Sequence, residues 1–438
     1  MRKMKDSGIA WIGEIPEEWQ VSRVGLHYEV ILGKMLCPSQ ITDDYSLEKY
    51  YCAANVHFDG ISDEEIKEMW FSSSEKEQYA VKEGDLLVVE GGAGAGGCAI
   101  VKYLPGPMYI QNSIMIVRGK NNHINSYLGY LIQCLVKTGY IDVVCNKATI
   151  PHFTKDKLSN IPYLLSADQA RIVNYLDTQC ANIDAVIEKT RASIEEYKKL
   201  KQSVITQAVT KGIRPNRTMK DSGIESISDI PCDWITPKVL QCLQMPITDG
   251  PHTTPELFDD GIPFVSAEAV STGNGHINFD HIRGYISQEF YKECCKKYIP
   301  QIDDVYMIKS GATTGRVAIL DTDRVFTIWS PLAVFRADKE RILPLFLFYC
   351  LQADYVQKQI ENGWTYGTQQ NIGMRTLEKI KLCVPPVKEQ SCIITYLDEK
   401  VSAVNRLLEK KEALLSDLEK YKRAVIFEYV TGKKEVPA

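Results

Sequence analysis

The sequence predicts an α+β protein: two similar mixed α/β domains separated by a long antiparallel two-helix coiled coil, with pseudo-two-fold symmetry inside one chain. Three observations carry that prediction. The stretch MKDSGI occurs at Met4–Ile9 and again at Met219–Ile224. Short alternating apolar runs around a glycine-rich or Ser/Thr-Gly turn follow each copy. Each half then closes on a heptad-patterned tract free of internal Pro and Gly.

The repeat extends well beyond six residues. GEIPEEW follows the first copy and SDIPCDW the second, so Ile15, Pro16 and Trp19 fall against Ile230, Pro231 and Trp234, 215 positions later. YYCAANV sits against PFVSAEAV, with Ala53 matching Ala267 and Val56 matching Val270. GDLLVVEGGAGAGGCAIV matches DDVYMIKSGATTGRVAIL, and Gly92 and Gly96 align with Gly311 and Gly315, 219 apart. The closing tracts, which begin YLDTQC and YLDEKV, stay 221 apart without a gap. That period is far too long for a solenoid and indicates duplication of a whole structural unit.

Within each half, DLLVVE and CAIVKY, then VYMIKS and RVAIL, read as short strands. Helices are expected near Ile124–Thr138 and near Leu345–Glu361. In the first closing tract Leu176, Ile183, Thr190, Tyr197 and Val204 recur every seven residues, interleaved with Cys180, Ile187, Ile194, Lys201 and Ala208. The second has Leu397, Val404, Lys411, Leu418 and Val425, interleaved with Val401, Leu408, Leu415, Lys422 and Tyr429. Three–four spacing of this kind is the seam of a coiled coil. Polar residues at matching seam positions, Thr190 with Lys411 and Lys201 with Lys422, favour one register. An amphipathic helix packed on its own domain is the plainer alternative. The expected boundaries are 1–165 for the first domain, 166–212 for the first long helix, 213–386 for the linker and second domain, and 387–432 for the second helix.

Composition excludes more than it identifies. The 438 residues are 45% hydrophobic and 24% charged, ordinary for a folded protein of two or more domains. No apolar run is long enough for a membrane span, and MRKMKDSGIAWIGEIPEEW lacks the core of an export signal. A cytoplasmic protein with no membrane partner is expected. The 13 cysteines contain no Cys-x-x-Cys pair, which suits reduced thiols and gives no zinc site. No cofactor and no catalytic residue is expected. GGAGAGG is followed by Cys98 and Ala99 rather than Gly-Lys-Ser/Thr, and no His-Glu-x-x-His occurs. A net charge of −5 does not point to nucleic acid by itself, although a local positive face is compatible with it.

Taken in order, GIAWIGEIPEEW, a variable domain, LSNIPYLL, DQARIVNYLD and a long helix ending ITQAVTKG resemble the DNA specificity subunit of type I restriction-modification systems. The second half repeats the order with GIPFVSAEAV, SGATTGRVAI, LEKIKLCVPPVKEQ, ITYLD and FEYVTGK. The resemblance covers nearly the whole chain. It implies that each variable domain is a target recognition domain for half of a split double-stranded DNA site. It further implies that the paired helices fix the spacing, with Leu176, Ile183, Ile187, Ile194, Tyr197, Val204, Leu397, Val404, Leu408, Leu415, Leu418 and Val425 in the seam. It implies a subunit without a catalytic centre. Its partners would be two copies of an adenine methyltransferase subunit, and motor–nuclease subunits where they occur. The alternative is a non-DNA scaffold joining two protein-binding domains. Consistent with a non-catalytic role, CVPPV at Cys383–Val387 lacks the Asp/Asn-Pro-Pro-aromatic signature of adenine methylation.

Candidate DNA contacts follow from chemistry. Gly92, Gly94 and Gly96 are read as a tight turn between strands, or as glycines that let peptide N–H groups approach DNA. At the matching place Thr313 and Thr314 add hydroxyls, and Arg316 adds a cation able to meet phosphate or guanine. CNKATIPHFTKDK offers Lys147, Thr149, His152 and Lys155. Its counterpart NGWTYGTQQNIGMR offers Tyr366, Gln369, Gln370 and Asn371, whose amides suit adenine in the major groove. His252 lies in DGPHTTP, and Asn55 and Glu268 are taken as a matching pair near a base edge. Trp19 and Trp234 are expected as core anchors.

Overall fold

Leu86–Val89 is apolar and buried at every position, as a central strand requires. It pairs antiparallel with Cys98–Ile100 on one side and Ile114–Gly119 on the other, and Tyr28–Leu32 completes the sheet. A second sheet has the order Tyr109–Ile110, Ser46–Tyr51, Lys67–Phe71, its first pair parallel and its second antiparallel. The structure, a computed structural model, describes residues 2–140, 145, 151–366 and 370–437. It divides into two compact units, Met1–Thr190 with Leu414–Ala438, and Arg191–Ala413.

The second unit repeats both sheets. Val317–Ile319, Val305–Ile308, Leu332–Phe335 and Thr248–Asp249 form the four-stranded sheet in that order. Thr327–Ile328, Ile262–Val265 and Gly284–Ile286 form the three-stranded one, again with one parallel and one antiparallel pair. Register is retained as well: Tyr51 faces Ile110, and Val265 faces Ile328.

Strand periodicity sorts the core. Leu86, Val88, Met115 and Val117 point to a cluster that includes Leu176 and Val425 of the long helices, while Leu87, Val89, Ile114 and Ile116 pack with Tyr51 and Ile110. In the second unit Val305 and Met307 join Ile205 and Leu397, and Tyr306 and Ile308 join Val265 and Ile328. Each unit is thus three layers: long helices, four-stranded sheet, three-stranded sheet.

The long helices run Gln169–Lys211 and Val387–Val430. Each unit contains part of both, paired antiparallel. In the first unit the Tyr429 hydroxyl meets the Tyr175 hydroxyl at 3.1 Å and Lys422 meets Asp184. In the second, Lys201 donates to Asn405 at 2.8 Å and Lys411 lies 5.4 Å from the Tyr197 ring centre. Leu176, Ile183, Ile187, Ile194, Leu397, Val404 and Val425 are buried; Tyr197, Val204, Leu408, Leu415 and Leu418 are half-buried. No helix among the described residues is long and apolar enough to cross a membrane.

The two MKDSGI copies open matching hairpins, Met4–Asp6 with Glu14–Pro16 and Met219–Ile224 with Ile227–Pro231. Gly8 and Gly223 sit at φ +71° and +67°, where only glycine is unstrained. Their N–H groups donate to Asp6 and Asp221 at 2.9 and 3.0 Å, and Ile9 and Ile224 donate to Ser7 and Ser222. The repeated hexapeptide is therefore a side-chain-closed turn.

Two sequence expectations need correction. The single helix near Leu345–Glu361 is two, Pro344–Gln352 and Asp354–Asn362, because Ala353 is extended at ψ 144°. Neither Pro nor Gly marks that break. It is held by Thr206, which accepts from Asp354 N, and by Gln202, which donates to Gln352 O. The earlier helix is Asn125–Lys137. The pairing of Asn55 with Glu268 is also wrong by one residue. Since Tyr51 and Val265 hold equivalent places, Asn55 falls against Ala269, and Glu268 against Ala54.

Candidate nucleic-acid interface

In each unit four chain segments meet where Val89, Ile114 and Leu32, or their counterparts, end the large sheet. The first is the turn after the central strand. Gly92 and Gly96 lie at φ +89° and +83°, and Gly311 and Gly315 at +103° and +90°. Gly96 N donates to Val89 O at 2.9 Å and Gly315 N to Ile308 O at 2.8 Å. Different sequences, GGAGAGG and SGATTG, thus make one backbone turn.

The second segment bridges to that turn: Gly91 with His152, and Ser310 with Asn371. Phe153 N donates to Glu90 O, and Ile372 N to Lys309 O. The third segment precedes the inner strand. Glu90 N donates to Ser113 O at 2.8 Å, and Lys309 N to Pro331 O at 2.7 Å. The fourth is a crossing: a Cβ on Gly33 would strike the Gln111 carbonyl, and one on Gly250 the Ile328 carbonyl. Only glycine lets the backbones pass there.

The sequence candidates scatter around this rim. His152 is exposed and lies 3.3 Å from Glu90. Asn371 is exposed. Thr313 is half-buried, and the Thr314 hydroxyl closes its own turn on Gly311 O. Arg316 is exposed and touches protein through Ser271 O at 3.0 Å. Gly94 sits at the exposed tip of its turn. His252 is exposed, 3.3 Å from Asp249. Glu268 is exposed on the helix Ala267–Ser271. Lys155 opens the helix Lys155–Asn160 and lines a groove along Tyr28–Leu32 with Arg118 and Lys120. Lys147, Thr149 and Gln369 lie outside the described residues, and Tyr366 and Gln370 are described in backbone alone.

Asn55 is not exposed on this rim. It is 3% exposed, and its amide is engaged by Cys52 N, Ser62 O and Glu64 O. Its role is to tie its own loop.

The rim also holds residues that motif reasoning missed. In the first unit these are Lys34, Met35, Gln111 and Asn112; in the second, Arg283 and Trp329. Arg283 stacks 4.0 Å above Trp329. Lys34 is buried, pairs with Glu75 and lies 4.7 Å from the Tyr45 ring centre. Burial would raise the Glu75 carboxyl, but hydrogen bonds from Lys34 and the Ser72 backbone outweigh it and hold it below its usual range. Asp249 behaves alike, with burial opposed by Lys297 and by Lys309 at 3.1 Å. No periodicity marks these positions, since they occupy turns. The one available signal was the doubled glycine, Gly33 and Gly250, which shows where backbones cross.

Away from the rim the two units share several side-chain pairs. Trp19 and Trp234 are fully buried, with Arg2 and Arg217 stacked over them at 5.6 and 5.9 Å. Arg2 pairs with Glu18 and approaches Asp168 at 3.9 Å, and Arg217 pairs with Asp233 and Glu389. Tyr130 donates to Asp177, and Tyr349 to Asp398, both at 2.6 Å. Arg118 and Arg336 each grip an aspartate, Asp85 and Asp304, at 2.7 and 2.8 Å. One face is duplicated and one rim is varied.

The sequence matches the family described as Type I restriction modification DNA specificity domain over residues 16–196 and 250–416. The chain belongs to this family. It is 24% identical to the type I restriction enzyme MjaVIII specificity subunit of Methanocaldococcus jannaschii, covering 96% of this chain and 94% of that one. It is 25% identical to the putative MjaX specificity subunit of the same organism, covering 97% and 96%. The EcoBI specificity subunit of Escherichia coli is 22% identical over 64% of this chain and 62% of its own. A solved structure from work on complex assembly and conformational transition of the type I restriction-modification system shares the fold. Its TM-score is 0.69 at 16% identity, covering 96% of this chain and 99% of that one. Like the named relatives, this type I specificity protein is a non-catalytic component built for DNA target recognition.

Proposed function

We propose that the chain recognises a bipartite double-stranded DNA site, each unit reading one half-site through its rim. The long helices set the distance between half-sites, and the duplicated faces dock two copies of an adenine methyltransferase subunit, with motor–nuclease subunits where these occur. The working place is the cytoplasm, and the expected domain boundaries near residues 165, 212 and 386 are retained. One observation carries the reading: two units that share the order of both main sheets keep the hairpin–helix face and change the rim. Identical faces suit identical partners. Rims that share a backbone but differ in chemistry suit two different base sequences. Helices of 43 and 44 residues without Pro or Gly are about 65 Å of stiff rod at 1.5 Å per residue. The net charge of −5 makes partner surfaces the main source of positive field.

The test is selection from a random duplex pool by the chain with its methyltransferase partner, followed by sequencing. Two short motifs at one fixed gap are expected. Absence of enrichment, or a single unsplit motif, overturns the reading. One partner copy per chain in the purified complex overturns the docking part.

A further inference from the structure

Asn112 and Gln111 lie in the turn before the inner strand of the first unit, half-buried at the rim. Their backbone is fixed: Asn112 N donates to Lys34 O at 2.8 Å, and Gln111 N to Tyr51 O at 3.1 Å. The side chains are ordered too. Ser113 N donates to Gln111 Oε1 at 3.2 Å, the Ser113 hydroxyl donates to the same oxygen, and Gln111 Nε2 donates to Asn112 Oδ1. That chain determines which way the Asn112 amide faces. One lone pair of Oδ1 remains, and among the described residues no bond engages Nδ2. A preset amide with one acceptor and one donor available is the arrangement that pairs with adenine N6 and N7 in the major groove.

The surroundings favour a base edge over a phosphate. Among the described residues the nearby cation Lys34 is held by Glu75, and the exposed His152 ring lies 3.3 Å from Glu90. A spare cation would favour attraction to the DNA backbone; Lys34, which accepts the Asn112 N–H on its carbonyl, is already engaged by Glu75. The internal comparison agrees. The second unit has Trp329, Ser330 and Pro331 where the first has Gln111, Asn112 and Ser113. No amide occupies that place there, although Trp329 N donates to Val265 O at 2.9 Å as Gln111 N does to Tyr51 O.

We infer that Asn112 is a specificity-determining residue that reads an adenine in the half-site of the first unit, with Gln111 as its positioning residue. This rests on the proposed DNA reading and adds to it the base, the residue and the half-site.

The experiment repeats the pool selection, with the partner present, for wild type, Asn112→Ala and Asn112→Asp. Each variant keeps the backbone donor to Lys34, and circular dichroism checks folding. Wild type should enrich a motif with an adenine that Asn112→Ala leaves unselected, the preference there falling at least tenfold. Asn112→Asp retains only acceptors, so that position should change from adenine toward cytosine, whose N4 donates. The other half-site and the gap should stay as in wild type. An unchanged motif in both variants overturns the inference and leaves the bipartite reading standing. Changes spread across both half-sites also overturn it. Failure of wild type to enrich any split motif removes the underlying reading, and this inference with it. Gln111→Ala should loosen the same single position without altering the rest, a readout that general loss of stability would not give.

Discussion

Lys422 donates to both carboxylate oxygens of Asp184, at 2.6 and 2.7 Å, inside the helix pair of the first unit. The equivalent residues of the second unit are Lys201 and Asn405, at 2.8 Å, where the acceptor is a neutral amide. Burial pushes the Lys201 ammonium below its usual range, and among the described residues no carboxylate opposes that shift. Asn405→Asp should therefore supply the missing charge and stabilise the second unit by about 1 kcal/mol, as a charge-assisted bond exceeds a neutral one. Thermal unfolding checks it, and Asp184→Asn should lower stability by a similar amount. If Asn405→Asp destabilises, desolvation of the new carboxylate outweighs the pair.

The ends of the long helices offer a second test. Gly432 lies at φ +72°, and a Cβ there would come within 2.6 Å of the Pro16 ring and 3.0 Å of Trp19. Gly212 lies at the same φ, but its nearest neighbours, Arg217, Glu389 and Trp234, stand at 3.1 to 3.2 Å. Both alanine variants bear left-handed strain of roughly 1 kcal/mol. Gly432→Ala adds a collision with a rigid ring and should cost about 2 kcal/mol or more. Urea unfolding should rank Gly432→Ala below Gly212→Ala. Equal losses would show that the hairpin yields to the added methyl.

Acid should unfold the second unit partly through Asp249. Its folded-state pKa lies below the ordinary value, because Lys297 and Lys309 outweigh its burial. A depressed carboxylate contributes stability that is complete above the unfolded-state pKa, near pH 4, and lost as pH falls through the lower folded value. Asp249→Asn removes that contribution and leaves Lys309, almost wholly buried, without its charge partner. The variant should be less stable at pH 7 and show a flatter decline below pH 4. An unchanged acid limb would mean that the Asp249 ion pairs form no part of it.

Thiol reactivity gives a further check on burial. Cys232 and Cys392 are exposed; Cys37, Cys98, Cys134, Cys145, Cys180, Cys242, Cys294, Cys350 and Cys383 are buried. Burial pushes the Cys98, Cys134 and Cys383 thiols up to about 12. Native alkylation at pH 8 should label Cys232 and Cys392 first, and the buried set on unfolding. Rapid labelling of Cys98 would contradict the packing beneath its strand.

What the sequence reveals and conceals follows from where each signal arises. Burial imposes periodicity, so Leu86–Val89 and the heptads around Ile183 and Val404 are legible as strand and helix. Duplication is legible because Trp19 and Trp234, or Asp177 and Asp398, hold one face in place in both halves. The rim is not legible in this way. Asn112 lies in a turn and comes to the rim where Gly33 lets two backbones cross. Asn55 resembles a base reader in sequence, yet its amide is enclosed by its own loop. The break at Ala353 has no local cause, since Thr206 and Gln202 lie 148 and 150 residues away in sequence from the groups they hold.

The spacing role makes the most direct functional prediction. Insert one heptad between Thr190 and Arg191 and another between Ala413 and Leu414. Both inserts preserve the seam, because seven residues return the stripe to within about 20°. Each helix lengthens by about 10 Å at 1.5 Å per residue, which sets an upper limit of roughly three base pairs on the change in gap. Selection from a random duplex pool should return the same two half-sites at a longer gap. A single insertion, in one helix alone, throws the seam polar pairs Lys422–Asp184 and Lys201–Asn405 out of step and should lower the unfolding temperature. If the doubly extended chain folds, binds and keeps the original gap, the helices do not measure the site.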